Sequence, residues 1–270
     1  MFKGPYGFFD YKYNIAGYEG QDYSGTGRLI YIIAAAVIVV LLLILLRNAK
    51  KETVKKYLKI VGIAFVSAYV IKTTWESYFD ITVDGGFNLY LLPFDTCSIV
   101  MWACLLAGFG TPKLQKLGAC WLVTGSMVGS IGAIPFLTAL KYYPFFTFGA
   151  FYSMLWHIVM LFTGAWLIVT NYVEMNFKTL LSGFAFHILV SLVVIPLDYI
   201  FSLDFMFYRT AGSVPIIEGV SEKLAANGIG FFTTPIMIAA YFITFAVIIY
   251  GSLGLKKFFR LFKKKPATAE

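Results

Sequence analysis

The stretch IYIIAAAVIVVLLLILL, residues 30–46, decides the fold of this chain. It carries no charged residue and only one polar group, the hydroxyl of Tyr31. As an α-helix it would extend roughly 25 Å at about 1.5 Å per residue, close to the hydrocarbon thickness of a bilayer. It is too long for a signal-peptide core, and no small-residue cleavage site follows it. We therefore expect this segment to be retained as a membrane span.

Apolar runs of similar length recur along the chain. They fall at roughly 29–46, 58–79, 89–109, 117–138, 148–170, 178–203 and 229–252. Hydrophobic residues make up 59% of the sequence, and charged residues only 13%, about half the share of roughly 25% in soluble domains. The mean hydropathy of +0.77 agrees with this composition. The sequence thus predicts an all-α polytopic membrane protein, a seven-helix transmembrane bundle over 29–252.

The placement of lysine and arginine predicts the orientation, because cytoplasmic loops are enriched in both. One set of loops and ends holds fifteen of them: Arg47, Lys50, Lys51, Lys55, Lys56, Lys59, Lys113, Lys116, Lys178, Lys256, Lys257, Arg260, Lys263, Lys264 and Lys265. The other set holds six: Lys3, Lys12, Arg28, Lys141, Arg209 and Lys223. We expect the N-terminus outside and the C-terminus in the cytoplasm. The net charge of +8 is then a property of loops beside anionic lipid, and nucleic-acid binding is not predicted.

Two terminal segments flank the predicted bundle. Residues 1–28 form an extracytoplasmic segment whose aromatic residues, Phe8 and Phe9 among them, are expected to fold over the bundle at the interface. Residues 253–270 form a basic cytoplasmic tail. The tail is either an interfacial anchor on the inner leaflet or simply a flank that stops translocation.

The cysteines and histidines do not form a metal motif. Cys97, Cys104 and Cys120 all lie inside predicted spans, so no disulfide framework is indicated. The two histidines, His157 and His187, lie on different spans. No metal site and no cofactor are predicted.

A set of polar residues is predicted to lie at similar depth in the outer half of the membrane. Polar side chains are costly in hydrocarbon and usually face a bundle interior or a cavity. The set, spread over four spans, is Lys72, Glu76, Asp95, Cys97, His157 and Asp198, with Asn88 nearby. A thiol and an imidazole that meet form a nucleophile–base pair, which makes Cys97 and His157 catalytic candidates. The other members are candidates for binding a substrate or orienting the histidine.

Each of these residues also has a purely structural interpretation. Lys72 and Glu76, four residues apart, are most simply an ion pair on one helix face. Cys97 alone is more often a small buried apolar residue, and His157 alone is more often hydrogen-bonded packing. Asp95 follows Pro93 and is equally explained as a first-turn acid. Asp198 could simply lie at the interface.

Four short motifs carry a family resemblance. They are Leu92-Pro93-Phe94-Asp95-Thr96-Cys97, Tyr143-Pro144-Phe145-Phe146, His157-Ile158-Val159-Met160-Leu161 and Asp204-Phe205-Met206-Phe207. Over roughly 75–250 the chain resembles the YwaF-like bacterial integral membrane proteins, which share a family with transmembrane protein 164. The vertebrate member is described as an acyltransferase that moves fatty acyl chains between phospholipids with a Cys/His pair. The resemblance implies such an activity with His157 and Cys97, in a bacterial plasma membrane.

Two classes of function follow from these observations. The first is a membrane-embedded acyltransferase or lipid hydrolase whose Cys97/His157 site faces the outer leaflet and acts on membrane phospholipids. The second is a non-catalytic protein that binds or transports a lipid or small molecule in a polar pocket containing Lys72, Glu76, Asp95 and Asp198. A structural subunit of a larger complex also fits the composition. A covalent acyl adduct on Cys97 distinguishes the first class from the others.

Overall fold

The computed structural model describes residues 7–11, 25–136, 143–144, 146–212 and 214–262 of the chain. All secondary structure in these ranges is helical, which confirms the predicted all-α class. The α-helices are α1 (Gly25–Leu46), α2 (Lys51–Asp84), α3 (Ile99–Phe109), α4 (Pro112–Trp121), α5 (Met127–Phe136), α6 (Phe148–Val169), α7 (Phe177–Phe201), α8 (Pro215–Ala226) and α9 (Thr233–Phe262). A π-helical segment, Leu122–Ser126, joins α4 to α5 without a break, and 3-10 turns lie at Leu89–Leu91, Phe205–Phe207 and Gly230–Phe232.

Five helical segments in the described ranges are long and apolar enough to cross a membrane. They are Leu29–Leu46, Pro112–Pro135, Phe148–Val169, Phe177–Phe201 and Gly230–Phe258. The two other predicted spans are built differently. Helix α2 has 34 residues but carries charges along its length. The count of seven spans and the orientation therefore remain predictions.

The third predicted span, 89–109, is not one continuous helix. It contains a 3-10 turn, an irregular stretch and then α3, which has only eleven residues. Pro93 accounts for part of the interruption, because it lacks an N–H and disfavours helical backbone at the residue before it. The chain turns instead through hydrogen bonds from Phe94 N to Leu92 O and from Ser98 N to Asp95 O. This irregular stretch contains Asp95, Thr96 and Cys97.

The α4–π–α5 rod lies at the centre of the bundle and is approached closely by its neighbours. A Cβ added at Gly118 would lie 2.5 Å from the carbonyl oxygen of Ala103 in α3. A Cβ added at Gly183 in α7 would lie 2.6 Å from Oγ1 of Thr124. Both glycines therefore allow helix–helix contacts that any larger residue would prevent.

Helix α1 lies at the edge of the bundle. Its buried residues Tyr31 and Ala35 pack toward α5 and α6, and the Tyr31 hydroxyl donates to the Met154 carbonyl. Along Leu29–Leu46 Val39 is also buried, but most of the remaining surface is apolar and exposed, with Leu45 75% exposed. An apolar, exposed helix surface of this length is expected where lipid covers it.

Several sequence predictions fall on residues outside the described ranges. These are most of the N-terminal segment (1–6 and 12–24), the end of the fourth run (137–138) and the last residues of the tail (263–270). Of the N-terminal segment, Phe8 packs against Phe148 and Phe151 at the start of α6, and its carbonyl accepts from Phe148 N. This part of the segment therefore contacts the start of α6, and its position relative to a membrane interface stays a prediction. At the other end, α9 continues through Phe262 into the predicted tail.

Candidate functional site

Cys97 lies in the irregular stretch before α3 and is held against α6. It is a half-buried free thiol. Its backbone carbonyl accepts a hydrogen bond from Trp156 Nε1 at 3.0 Å. The preceding residue, Thr96, and Met160 of α6 both lie close to Gly129 of α5. A Cβ added at Gly129 would lie 3.4 Å from the Thr96 side chain and 3.3 Å from the Met160 side chain. Trp156 immediately precedes His157 in α6, and Met160 follows it by three residues. The Cys97 segment therefore packs at the level of that histidine.

His157 is buried and is oriented by its own helix. Its Nδ1 lies 2.7 Å from the carbonyl oxygen of Ser153, one turn earlier in α6. A carbonyl oxygen only accepts, so Nδ1 carries the proton and Nε2 of the neutral ring is the acceptor. Within the described ranges, Nε2 has no hydrogen-bond partner, and no hydrogen bond joins His157 to Cys97. The ring therefore presents an unoccupied basic nitrogen, the tautomer that a general base requires.

Lys72 and Glu76 form the ion pair that their spacing predicts, and the structure brings this pair close to Cys97. The Lys72 ammonium contacts the Glu76 carboxylate, and the Tyr143 hydroxyl donates to the other oxygen of that carboxylate. Glu76 is 1% exposed and Lys72 18% exposed. The Lys72 ammonium lies 6.0 Å from the ring centroid of Tyr152, whose ring lies 5.1 Å from that of Trp156, the residue that donates to the Cys97 carbonyl.

Asp198 and Asn88 have local structural partners instead. Asp198 is fully buried, and its Oδ1 accepts a hydrogen bond from Phe205 N at 2.8 Å. Asn88 caps the first 3-10 turn, with Oδ1 accepting from Tyr90 N at 3.0 Å. In the part of the chain that the structure describes, neither residue hydrogen-bonds to His157, and neither do Glu76 and Asp95. The predicted orienting role is taken by the Ser153 carbonyl.

A buried polar network that the sequence analysis did not identify lies beside Cys97. Thr96 hydrogen-bonds to the hydroxyl of Tyr241 at 2.9 Å, and that hydroxyl donates to the Met206 carbonyl at 3.2 Å. The Tyr241 ring lies 4.2 Å from the ring of His187 between centroids. The network joins the irregular stretch before α3 to α9 and to the segment after α7.

The same network continues through the segment after α7. The Tyr208 hydroxyl lies 2.8 Å from His187 Nε2 and 2.5 Å from Ser191 Oγ. Burial raises the pKa of Tyr208 above its usual range, so this hydroxyl stays neutral. His187 and Ser191 are four residues apart in α7, so helical periodicity places them on one face, but nothing in the sequence spacing predicts that both meet Tyr208. Ser153, by contrast, precedes His157 by four residues and could have been found from helical periodicity.

The described residues contain no group of three or more histidine, cysteine or acidic side chains placed to hold a metal ion. Cys97, Cys104 and Cys120 are free thiols. What the site offers is therefore one half-buried thiol, one oriented imidazole and one lysine–glutamate pair, all close to the predicted outer end of the bundle.

The apolar helices and their exposed faces define a helical membrane protein that crosses the bilayer several times. The chain belongs to the TMEM164 family, whose model matches residues 23–255. Comparison with curated proteins and comparison with solved structures find no match.

Proposed function

We propose that this protein is a membrane-embedded acyltransferase that moves a fatty acyl chain between lipids, with Cys97 as nucleophile and His157 as general base. The observation that carries the proposal is the contact between the Cys97 segment and α6. The Trp156–Cys97 hydrogen bond fixes the thiol-bearing residue beside the helix turn that carries an imidazole with a free Nε2. Membership of the TMEM164 family agrees with a lipid-facing role.

In the first step the Cys97 thiol transfers its proton to His157 Nε2, and its sulfur attacks the ester carbonyl of a phospholipid. A bond forms between sulfur and the carbonyl carbon, and the ester C–O bond breaks. The proton on Nε2 passes to the departing lysolipid oxygen. Catalytic hydrogen bonds often form only when substrate binds, so the step does not require a Cys97–His157 hydrogen bond in the structure.

In the second step an acceptor hydroxyl gives its proton to His157 Nε2 and attacks the thioester. A new C–O bond forms, the S–C bond breaks and the thiol is restored. Water in place of the hydroxyl gives hydrolysis. Lys72 is the cation proposed to support both steps, because a positive charge near the reacting carbonyl stabilises the developing oxyanion. The lipid enters sideways from the outer leaflet of a cell membrane, which for a bacterial protein is the plasma membrane.

Intact-mass analysis after incubation with an acyl phospholipid tests the proposal. All variants in this experiment are made in a protein that carries Cys104→Ala and Cys120→Ala, in which Cys97 is the only thiol. We expect one acyl adduct, lost in Cys97→Ser and strongly reduced in His157→Asn. Asparagine can keep the amide hydrogen bond to the Ser153 carbonyl while removing the basic nitrogen, so it separates catalysis from folding.

Transfer of labelled acyl chains between lipids is measured on the same variants. Full transfer activity in Cys97→Ser or in His157→Asn would show that the pair is not the catalytic site. Lipid that co-purifies without an adduct, together with lipid flux in liposomes, would instead indicate a binding or transport protein.

A further inference from the structure

A second polar feature lies at the opposite end of α2 from Lys72 and Glu76. It is a cavity of about 700 Å³ between the first turns of α2 and α4 and the segment that leads into α7. Lys51 and Lys72 are 21 residues apart on one helix, which corresponds to roughly 30 Å. The cavity is therefore separate from the Cys97 site, and on the predicted topology it opens toward the cytoplasmic leaflet.

The cavity is lined by lysines that lack carboxylate partners. Its charged lining residues are Lys51, Lys55, Lys116, Lys178, Glu52 and Glu174, four cations against two anions, a net charge of +2. In the described ranges no carboxylate lies within 4.0 Å of any of the four lysines; the ion pair found there is Lys72–Glu76. Unpaired lysines around one cavity create a positive potential that an anion relieves.

The backbone adds to this positive potential. Helices α2, α4 and α7 all begin at the cavity, so the positive ends of three helix dipoles converge there. Neither Lys50 nor Thr111, the residues that precede α2 and α4, caps its helix with a side chain. The first N–H groups of α2 are left for another acceptor, as are those of Lys113 and Leu114 in α4, whose first residue, Pro112, has no N–H. Such groups bind phosphate readily.

We infer that this cavity, which we call the basic cavity, binds a phosphate-bearing anion. Phosphate combines charge with several acceptor oxygens, and the basic cavity offers both ammonium groups and backbone donors. Its volume is well above that of a single phosphate ion. Tyr172 and Val173 add an apolar wall, which suits a phosphate attached to an organic group. The phosphate belongs either to an anionic lipid headgroup of the adjacent leaflet or to a soluble phosphate ester.

Binding is measured on the full chain in neutral detergent with two probes, phosphatidylglycerol in mixed micelles and inorganic phosphate. Phosphatidylcholine and sulfate at equal ionic strength are the references. The test variant is Lys55→Gln/Lys116→Gln, which neutralises lysines on two walls of the basic cavity. We expect its affinity for the preferred probe to fall about tenfold to thirtyfold, from the usual contribution of a lysine at an anionic surface.

The matched control is Lys56→Gln/Lys113→Gln, which removes two exposed lysines of the same helices that do not line the basic cavity. It should retain wild-type affinity, and the thermal stability of both variants without ligand should equal that of the wild type. Selective binding of phosphatidylglycerol alone supports a headgroup ligand, and binding of inorganic phosphate supports a soluble ester. The inference is overturned if neither probe binds selectively, or if the two double variants lose affinity equally.

Discussion

Tyr241→Phe removes one hydroxyl group from the network that supports the Cys97 segment. The hydroxyl has a single proton, and the Met206 carbonyl at 3.2 Å can only accept it. Thr96, at 2.9 Å, must therefore be the donor of its own hydrogen bond to Tyr241. The phenylalanine variant leaves the ring in place but deprives a buried carbonyl and a buried hydroxyl of their partner.

The expected cost follows from these two orphaned groups. Each buried polar group left without a partner costs about 1–3 kcal/mol, so two such groups predict a loss of about 2–6 kcal/mol in the free energy of unfolding. For a chain of this size, each kcal/mol corresponds to about 2–4 °C in Tm. Tyr241→Phe should therefore lower Tm by roughly 4–24 °C.

The assay is thermal unfolding in detergent, followed by tryptophan fluorescence. Tyr250→Phe on the same helix is the control, because Tyr250 is 51% exposed and makes no hydrogen bond through its side chain in the described structure. Thr96→Val completes a double-mutant cycle with Tyr241→Phe, in which the double variant should lose less than the sum of the single variants. Equal Tm values for Tyr241→Phe and Tyr250→Phe, or strict additivity in the cycle, would refute the assignment of this network.

Three further predictions concern helix packing and charge. Glu76→Gln should lower the free energy of unfolding by about 3 kcal/mol, because Lys72 then lacks the carboxylate with which it pairs. Adding Lys72→Met to this variant should restore part of the loss in the unfolding assay. Gly183→Val should lower the free energy of unfolding by about 1–3 kcal/mol or prevent insertion, as seen by yield and thermal melting, whereas an unchanged Tm would contradict the close approach of α7 to Thr124. Asn176→Ala should cost about 1 kcal/mol, since its side chain caps α7, with Asn176→Asp as the variant that retains stability.

The membrane class and much of the helical organisation are predictable from the sequence because hydropathy and helical periodicity are local. The run 30–46 lies within α1, and Lys72 and Glu76 pair as their spacing indicates. Where the prediction is least complete, the backbone is irregular. The run 89–109 reads as one span by hydropathy, yet Pro93 and the turns around Asp95 divide it.

The candidate site is predictable only in part, because its geometry depends on contacts between residues far apart in the sequence. Cys97 and His157 stand out because thiol and imidazole groups are unusual inside apolar runs. Their mutual position depends on Trp156, which reaches the Cys97 carbonyl from another helix, and no local pattern contains that contact. Depth along a span indicates that Glu76, Asp95 and Asp198 are near His157, but depth does not specify which face of a helix a side chain occupies.

Hydropathy and charge along the chain are enough to identify a helical membrane protein, the polar residues in its spans, and its basic ends and loops. These properties depend only on residues that are close together in the sequence, so they can be predicted without knowledge of the fold. The tertiary structure decided which groups meet: Thr96 with Tyr241, His187 with Tyr208, and four lysines around one cavity. Such meetings depend on the rotation and close approach of helices far apart in sequence, which glycines such as Gly118 and Gly183 permit but do not encode locally.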